Sequence, residues 1–176
     1  MAVARIPIIG VMGAHQNEWP ELANPLGAWI ATHGCHLVTG AGTGVMTSVA
    51  RAFCAVASRR GQSIGIIPTD ENPPGMFTPR PGYPNPWIEI PIVTPLSFGM
   101  GGTVSRNHVN VLSSDAVISL PGSHGTIDET TLAIRFDKPV LCYGPRDGFA
   151  GFPQGHAHTE DFEAVTRFLL EHIQRV

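Results

Sequence analysis

The sequence predicts an α/β fold, a mostly parallel central sheet with helices on both of its faces. Three observations carry that expectation. Short apolar runs alternate along the chain with stretches of helical periodicity. Several runs are apolar at consecutive rather than alternate positions, as strands covered on both faces must be. Glycine-rich turns stand at the joints between the runs and the helical stretches. With 176 residues, of which 43% are hydrophobic and 14% charged, the chain suits one core, and a single domain over 1–176 is expected.

Ile6 to Met12 is the first expected strand, with Pro7 near its start, where a missing N–H costs least. It ends in Gly13-Ala14-His15. Leu22, Leu26, Trp29 and Ile30 then recur at helical spacing up to His33, with Asn24 and Pro25 as cap and first helical residue and Gly34 as the stop. Cys35 to Thr39 is a short strand. Val45, Val49, Phe53 and Val56 line one side of a second helix; Arg59 and Arg60 complement its C-terminal end and Gly61 terminates it. Ser63 to Ile67 is the next strand. Pro68 to Pro86 contains seven prolines, each removing a donor and restricting its predecessor. An extended surface loop follows from that, either a lid or binding loop or a cover over a neighbouring subunit or the sheet edge. Trp87 to Thr94 resumes strand character, and the cluster Gly99-Met-Gly-Gly-Thr103 precedes a helix from Val104 to Ser114. Ala116 to Leu120 is a strand, Pro121 to Thr126 a glycine turn, and a helix runs from there to about Phe136. After a strand at Pro139 to Tyr143, Phe162, Val165, Leu169 and Ile173 mark a closing helix that starts at about Thr159.

Composition excludes several classes. A net charge of -3, from 11 Lys+Arg against 14 Asp+Glu, argues against nucleic acid as the main partner and leaves room for a small anionic ligand. No run reaches the roughly 18 apolar residues of a membrane span. Met1 to Arg5 leads straight into an apolar strand rather than a signal peptide, so a cytoplasmic location is expected. Cys35, Cys54 and Cys142 are an odd number in apolar runs, which fits reduced core thiols. The low charge density suggests that part of the surface is covered in an oligomer.

The chemistry is expected at three glycine turns: Gly40-Ala-Gly-Thr-Gly44, Gly101-Gly-Thr103 and Pro121-Gly-Ser-His-Gly-Thr126. In a parallel sheet they fall at the carboxyl ends of strands and can converge on one crevice, where helix N-termini offer N–H groups to a phosphate. The dinucleotide fingerprint fails because Val45 stands where a glycine is needed, and a Walker A loop fails because the only lysine is Lys138. Arg106, near a helix N-terminus, opposes the helix dipole unless an anion binds there or an intramolecular ion pair holds it. An arginine at that end adds little to the helix itself, so its removal is expected to leave folding nearly untouched. Glu129 is placed either to close a capping box with Thr126 or to enter the crevice, with Asp128 able to serve the dipole alone. His124 lies within the third turn, as a phosphate donor, a stacking ring or a packed turn residue. His15 and His108 are weaker candidates. His156 and His158 are two ligands without a third, so no metal site is expected, and no G-x-S-x-G elbow occurs.

The segment Pro121-Gly-Ser-His-Gly-Thr-Ile-Asp-Glu129 resembles the P-G-G-x-G-T-x-x-E signature of the Lonely Guy-like superfamily, long mislabelled as lysine decarboxylases. Gly40 to Met46 is similar to that group's first glycine loop, and Ser105-Arg106-Asn107 to its R-K or R-N site. With Ser114 to Ile118 ahead of the signature and Lys138 to Val140 behind it, the resemblance spans residues 6 to 143. It implies a Rossmann-like three-layer sandwich and homodimers assembling into tetramers. It also implies a ligand site formed by Gly13, Gly42, Thr43, Gly44, Gly101, Gly102, Thr103, Arg106, Asn107, Gly122, Ser123, His124, Gly125, Thr126 and Glu129. In the enzymes of the group the arginine and glutamate act on the N-glycosidic bond of a nucleoside 5'-monophosphate. Here Ser123 replaces the second signature glycine and Asn107 the lysine found in the hydrolases. Both departures weaken that activity, and the chain length, the Ser105-Arg-Asn107 variant and the proline loop look most like the branch that carries the molybdenum cofactor. The resemblance to that branch implies a phosphate-bearing molybdopterin bound as cargo, protected without any reaction and passed to a molybdoenzyme such as nitrate reductase. The alternative it implies is a phosphoribohydrolase acting on a nucleoside monophosphate.

Overall fold

The computed structural model describes residues 5–96 and 104–173. In chain order these form β1 (Ile8–Met12), α1 (Pro20–Thr32), β2 (His36–Thr39), α2 (Val45–Cys54), β3 (Ser63–Glu71), β4 (Phe77–Pro79) and β5 (Ile90–Thr94). They continue as α3 (Arg106–Ser113), β6 (Ala116–Ser119), α4 (His124–Arg135), β7 (Val140–Tyr143), a 3-10 turn (Arg146–Phe149), β8 (His158–Thr159) and α5 (Phe162–Ile173). The sheet runs β4-β3-β2-β1-β6-β7-β8 with β5 also on β3, and every pairing is parallel except that of β4 with β3. This is the expected α/β sandwich with a mostly parallel sheet.

Strand residues alternate between two cores, which is why the runs are apolar throughout. Ile9, Val11, Ala116 and Ile118 point to the face covered by α1, α2 and α5, among Leu26, Ile30, Val49, Phe53, Val165 and Leu169. Met12 and Val117 point to the other face, against Val111 of α3 and Leu132 and Ala133 of α4.

Several boundaries differ from the sequence reading. Helix α1 begins at Pro20 instead of Pro25, because the Trp19 carbonyl accepts from the amides of Leu22 (3.0 Å) and Ala23 (2.8 Å). Burying Leu22 and Ala23 extends the apolar stripe by a turn, and Pro25 is accommodated inside the helix. Helix α2 stops at Cys54 rather than near Gly61. The Arg59 guanidinium donates to the carbonyls of Cys54 (3.2 Å) and Val56 (3.1 Å) and pairs with Glu89 at 2.6 Å, so a side chain satisfies the carbonyls that further helix would have used. Strand β3 continues through Pro68 to Glu71 and turns back as β4, tied by Asp70–Arg80 at 2.7 Å, so the first half of the proline loop is a hairpin. Strand β5 starts at Ile90 because the amides of Trp87 and Ile88 are taken by Asn85 in a turn. At the other end of the chain α5 starts at Phe162, since His158 and Thr159 form a strand. Cys35 and Cys142 are buried thiols that burial pushes up to about 11 and about 12, whereas Cys54 is half-buried with Sγ 3.3 Å from the Trp87 carbonyl, not a core residue. Among the described residues no helix is long and apolar enough to cross a membrane.

Candidate functional site

The chain steps outward from β1 through β2 and β3 to β5, and α3 then carries it back to β6 on the other side of β1. Chain segments leaving the carboxyl ends of strands on either side of such a reversal diverge and open a crevice. The segments that leave β1, β2 and β6 meet there. The Ala14 amide donates to the Pro121 carbonyl (3.2 Å), the Val45 amide to the Ala14 carbonyl (2.9 Å) and Thr43 Oγ1 to the His15 carbonyl (2.7 Å). Gly44 has φ 66°, and a Cβ there would run into the Ala14 carbonyl oxygen. A Cβ on Gly122 would collide with Thr126 Oγ1. Only glycine lets these turns approach so closely.

The result is a cleft of about 320 Å³ at the ends of β1, β2 and β6 and the start of α3 and α4. Seven of the expected residues line it: Gly13, Arg106, Asn107, Ser123, Gly125, Thr126 and Glu129. An adjoining depression of about 450 Å³ includes Gly122 and shares His15 and Ser123 with it.

Arg106 is the first residue of α3 and is almost wholly buried. Its Nη1 donates to the carbonyls of Gly40 (2.6 Å), just past the end of β2, and Ile66 (3.1 Å), within β3, and the guanidinium lies 5.7 Å from the Tyr83 ring centroid. Carbonyl dipoles thus compensate much of the charge that opposes the helix. The expectation that Arg106 contributes little to folding does not hold, because its side chain joins two strands. Burial pulls its pKa down while Glu129 acts the other way.

Glu129 sits in the second turn of α4, 7% exposed, and accepts from Asn110 Nδ2 at 2.7 Å. Burial pushes its carboxyl up to about 7, against the lowering influence of Arg106 and of the Asn110 hydrogen bond. The capping-box reading of Glu129 is excluded: α4 begins at His124, so Ser123 is the N-cap and its carbonyl accepts from the Ile127 amide (3.0 Å). Asn107 donates to Asp128 Oδ2 at 2.7 Å, so its side chain links α3 to α4 beneath the cleft wall.

The remaining expected residues have other surroundings. Gly42 packs beneath Met46 and Tyr83, its carbonyl accepting from Thr47 and Asn85. Thr43 is exposed and committed to His15; Gly44 caps α2; His124 is exposed at the first position of α4 rather than inside a turn. Gly101, Gly102 and Thr103 lie outside the described residues. Val11, Met12 and Tyr83 line the cleft without having been selected for it, together with His15, a weaker candidate, and Gly40 and Met46 of the first glycine loop. The signal for Tyr83 was an aromatic residue between Gly82 and Pro84 in a loop whose length asked for a reason. Among the described residues no group of three His, Cys, Asp or Glu side chains could hold a metal. His156 Nδ1 and His158 Nε2 lie 2.5 Å and 2.9 Å from the carbonyls of Pro153 and Gly144.

Comparison with known proteins matches residues 6–171 to the SLOG cluster4 family. An uncharacterized protein of Archaeoglobus fulgidus is 31% identical over 139 residues, covering 78% of this chain and 80% of that protein. The structure of the molybdenum cofactor binding protein from Rippkaea orientalis superposes with a TM-score of 0.72 at 29% identity, over 96% of this chain and 98% of that one. The molybdenum cofactor carrier protein of Chlamydomonas reinhardtii superposes with a TM-score of 0.67 at 30% identity, over 94% and 99%.

Proposed function

The chain belongs to the SLOG cluster4 family, and from that premise we propose that it binds, protects and carries the molybdenum cofactor for delivery to a molybdoenzyme such as nitrate reductase. The observation that carries the proposal is the likeness, along nearly the whole chain, to two proteins that bind or carry that cofactor. The chemistry of the cleft supports it. Arg106 supplies a fixed positive charge for the molybdopterin phosphate, and the first turn of α4 presents Ser123, Gly125 and Thr126 beside it. Met46 supplies apolar contact for the rest of the cargo. Cytoplasmic residence and assembly into dimers or tetramers belong to the same reading. Exposed Val93, Val104 and Leu112, at 51%, 66% and 47%, support the assembly as surface that a second copy would cover. The test is to mix purified protein with free molybdopterin, remove unbound material, extract under denaturing conditions, oxidise with iodine and read pterin fluorescence. Retention stoichiometric with protein is expected; absence of any retained pterin overturns the proposal.

One observation favours a second reading, hydrolysis of a nucleoside 5'-monophosphate. Glu129, poised near pH 7 in a cleft with a buried arginine, is suited to give a proton to a departing base or take one from water, beside a charge that could hold the phosphate. Incubation with AMP at high protein concentration, read as free adenine, decides it. No release eliminates the enzyme.

A further inference from the structure

Glycine turns and a cation account for a phosphate, whereas a flat heterocycle is recognised by aromatic faces. Two rings stand at the cleft. Tyr83 belongs to the second half of the proline-rich segment, which is fastened over the β2–α2 turn. The Asn85 amide donates to the Ala41 carbonyl (2.8 Å), and the buried Asn85 side chain donates to the Gly42 carbonyl (2.9 Å). The Tyr83 ring lies over Gly42, where a Cβ would come 3.0 Å from its Cε1 and Oη. His15, on the β1–α1 segment, is exposed, with Thr43 Oγ1 3.3 Å from its ring nitrogens. The two rings are 17° from parallel with centroids 6.3 Å apart, and both line the cleft that contains Arg106.

We propose that Tyr83 and His15 are the residues that select a planar heterocycle in this cleft: the ring of a phosphate-bearing ligand stacks on Tyr83, with His15 as the second wall. The proposal rests on the reading above in so far as that ligand joins a phosphate to a heterocycle, but it does not depend on the ring being a pterin. A ring held between two parallel walls needs about 7 Å, two contacts of about 3.5 Å each. The centroids are 6.3 Å apart, so the walls must open for a ring to enter, and exposed His15 can turn to let it in. The positive Arg106 at 5.7 Å from the Tyr83 centroid places the anion subsite next to the stacking surface, as a ligand with a short link between phosphate and ring requires. The proline-rich segment thereby acquires a role as a fixed wall of the site.

The experiment measures binding of free molybdopterin, AMP and ribose 5-phosphate by calorimetry to wild type, Tyr83→Leu, Tyr83→Phe and His15→Ala. Loss of one stacking face corresponds to roughly a five- to hundredfold loss of affinity. That loss is expected for the two ring-bearing probes with Tyr83→Leu, while ribose 5-phosphate binds as to wild type and Tyr83→Phe restores ring binding. His15→Ala, at an exposed position, should show a smaller loss with the same selectivity, and it carries the test if Tyr83→Leu does not fold. An equal loss for all three probes, or none for the ring-bearing ones, overturns the proposal. If wild type binds molybdopterin and the Tyr83 and His15 variants bind it equally well, the ring pair falls and the carrier reading stands. Tyr83-dependent binding of AMP without any of molybdopterin supports the ring pair and removes the carrier. Binding of neither ring-bearing probe overturns both.

Discussion

Replacing Glu129 with glutamine should make the protein more stable at neutral and alkaline pH. The amide oxygen of the new side chain can accept the Asn110 hydrogen bond as the carboxylate does, but the amide cannot ionise. In the wild type the carboxyl holds its proton more tightly folded than unfolded, with its pKa pushed from 4.5 to about 7 by burial in spite of Arg106. Its contribution to stability is therefore complete below pH 4.5 and is lost as the pH rises through about 7. At about 1.4 kcal/mol for each tenfold change in proton affinity, the loss amounts to about 3 kcal/mol by pH 8. Urea unfolding followed by tryptophan fluorescence at pH 5, 6, 7 and 8 should give two stability curves that lie close together at the acid end. They should diverge to about 3 kcal/mol in favour of E129Q at pH 8, equivalent to roughly 6 to 12 °C in melting temperature for a chain of this size. The comparison between the two proteins removes the titration of the eight histidines, which both share. Parallel curves, or a wild type more stable than E129Q at pH 8, would refute the argument that Glu129 is buried against its own charge.

Arg106→Ala removes two hydrogen bonds to the carbonyls of Gly40 and Ile66 and should cost roughly 2 to 4 kcal/mol in chemical unfolding, with binding of a phosphate-bearing ligand weakened roughly ten- to a hundredfold in calorimetry; wild-type stability would show that the two carbonyls do not need it. Ser123 has φ -116° and ψ -154°, extended backbone that serine adopts without strain, so Ser123→Gly should lose up to about 1 kcal/mol in thermal unfolding and loosen pterin retention modestly. A gain in stability or faster base release from AMP would contradict this. Gly44→Ala combines a left-handed φ with a collision at the Ala14 carbonyl and should cost at least about 2 kcal/mol, read by urea unfolding. In sedimentation velocity the wild type should run as a dimer or tetramer and Leu112→Glu as a smaller species; a monomeric wild type would remove the assembly.

The parts legible in the sequence were those set by local chemistry. Apolar runs, helical spacing and glycine punctuation depend on residues near one another in the chain, and they located the five helices and the parallel core, although the start of α1 and the end of α2 were misplaced by more than a turn. The joints at Gly40 to Gly44 and Pro121 to Thr126 were legible for the same reason, since a turn that must approach a neighbouring backbone requires glycine whatever that neighbour is. The misplaced ends have long-range causes: α2 stops where Arg59 reaches back to its carbonyls while pairing with Glu89, and the proline segment becomes a hairpin because β3 runs on past Ile67. Tertiary structure alone decided the character of the site. Glu129 differs from a surface glutamate only because α3 and α4 enclose it with Asn110 and Arg106. Arg106 is a bridge between strands only because the carbonyls of Gly40 and Ile66, 66 and 40 residues away, end beside it. Tyr83 and His15, 68 positions apart, become a pair of nearly parallel rings only when the proline-rich segment folds over the β2–α2 turn. Periodicity records which face of an element is buried, but it holds no information about which distant side chain will share that burial, and desolvation and ring stacking depend on that partner.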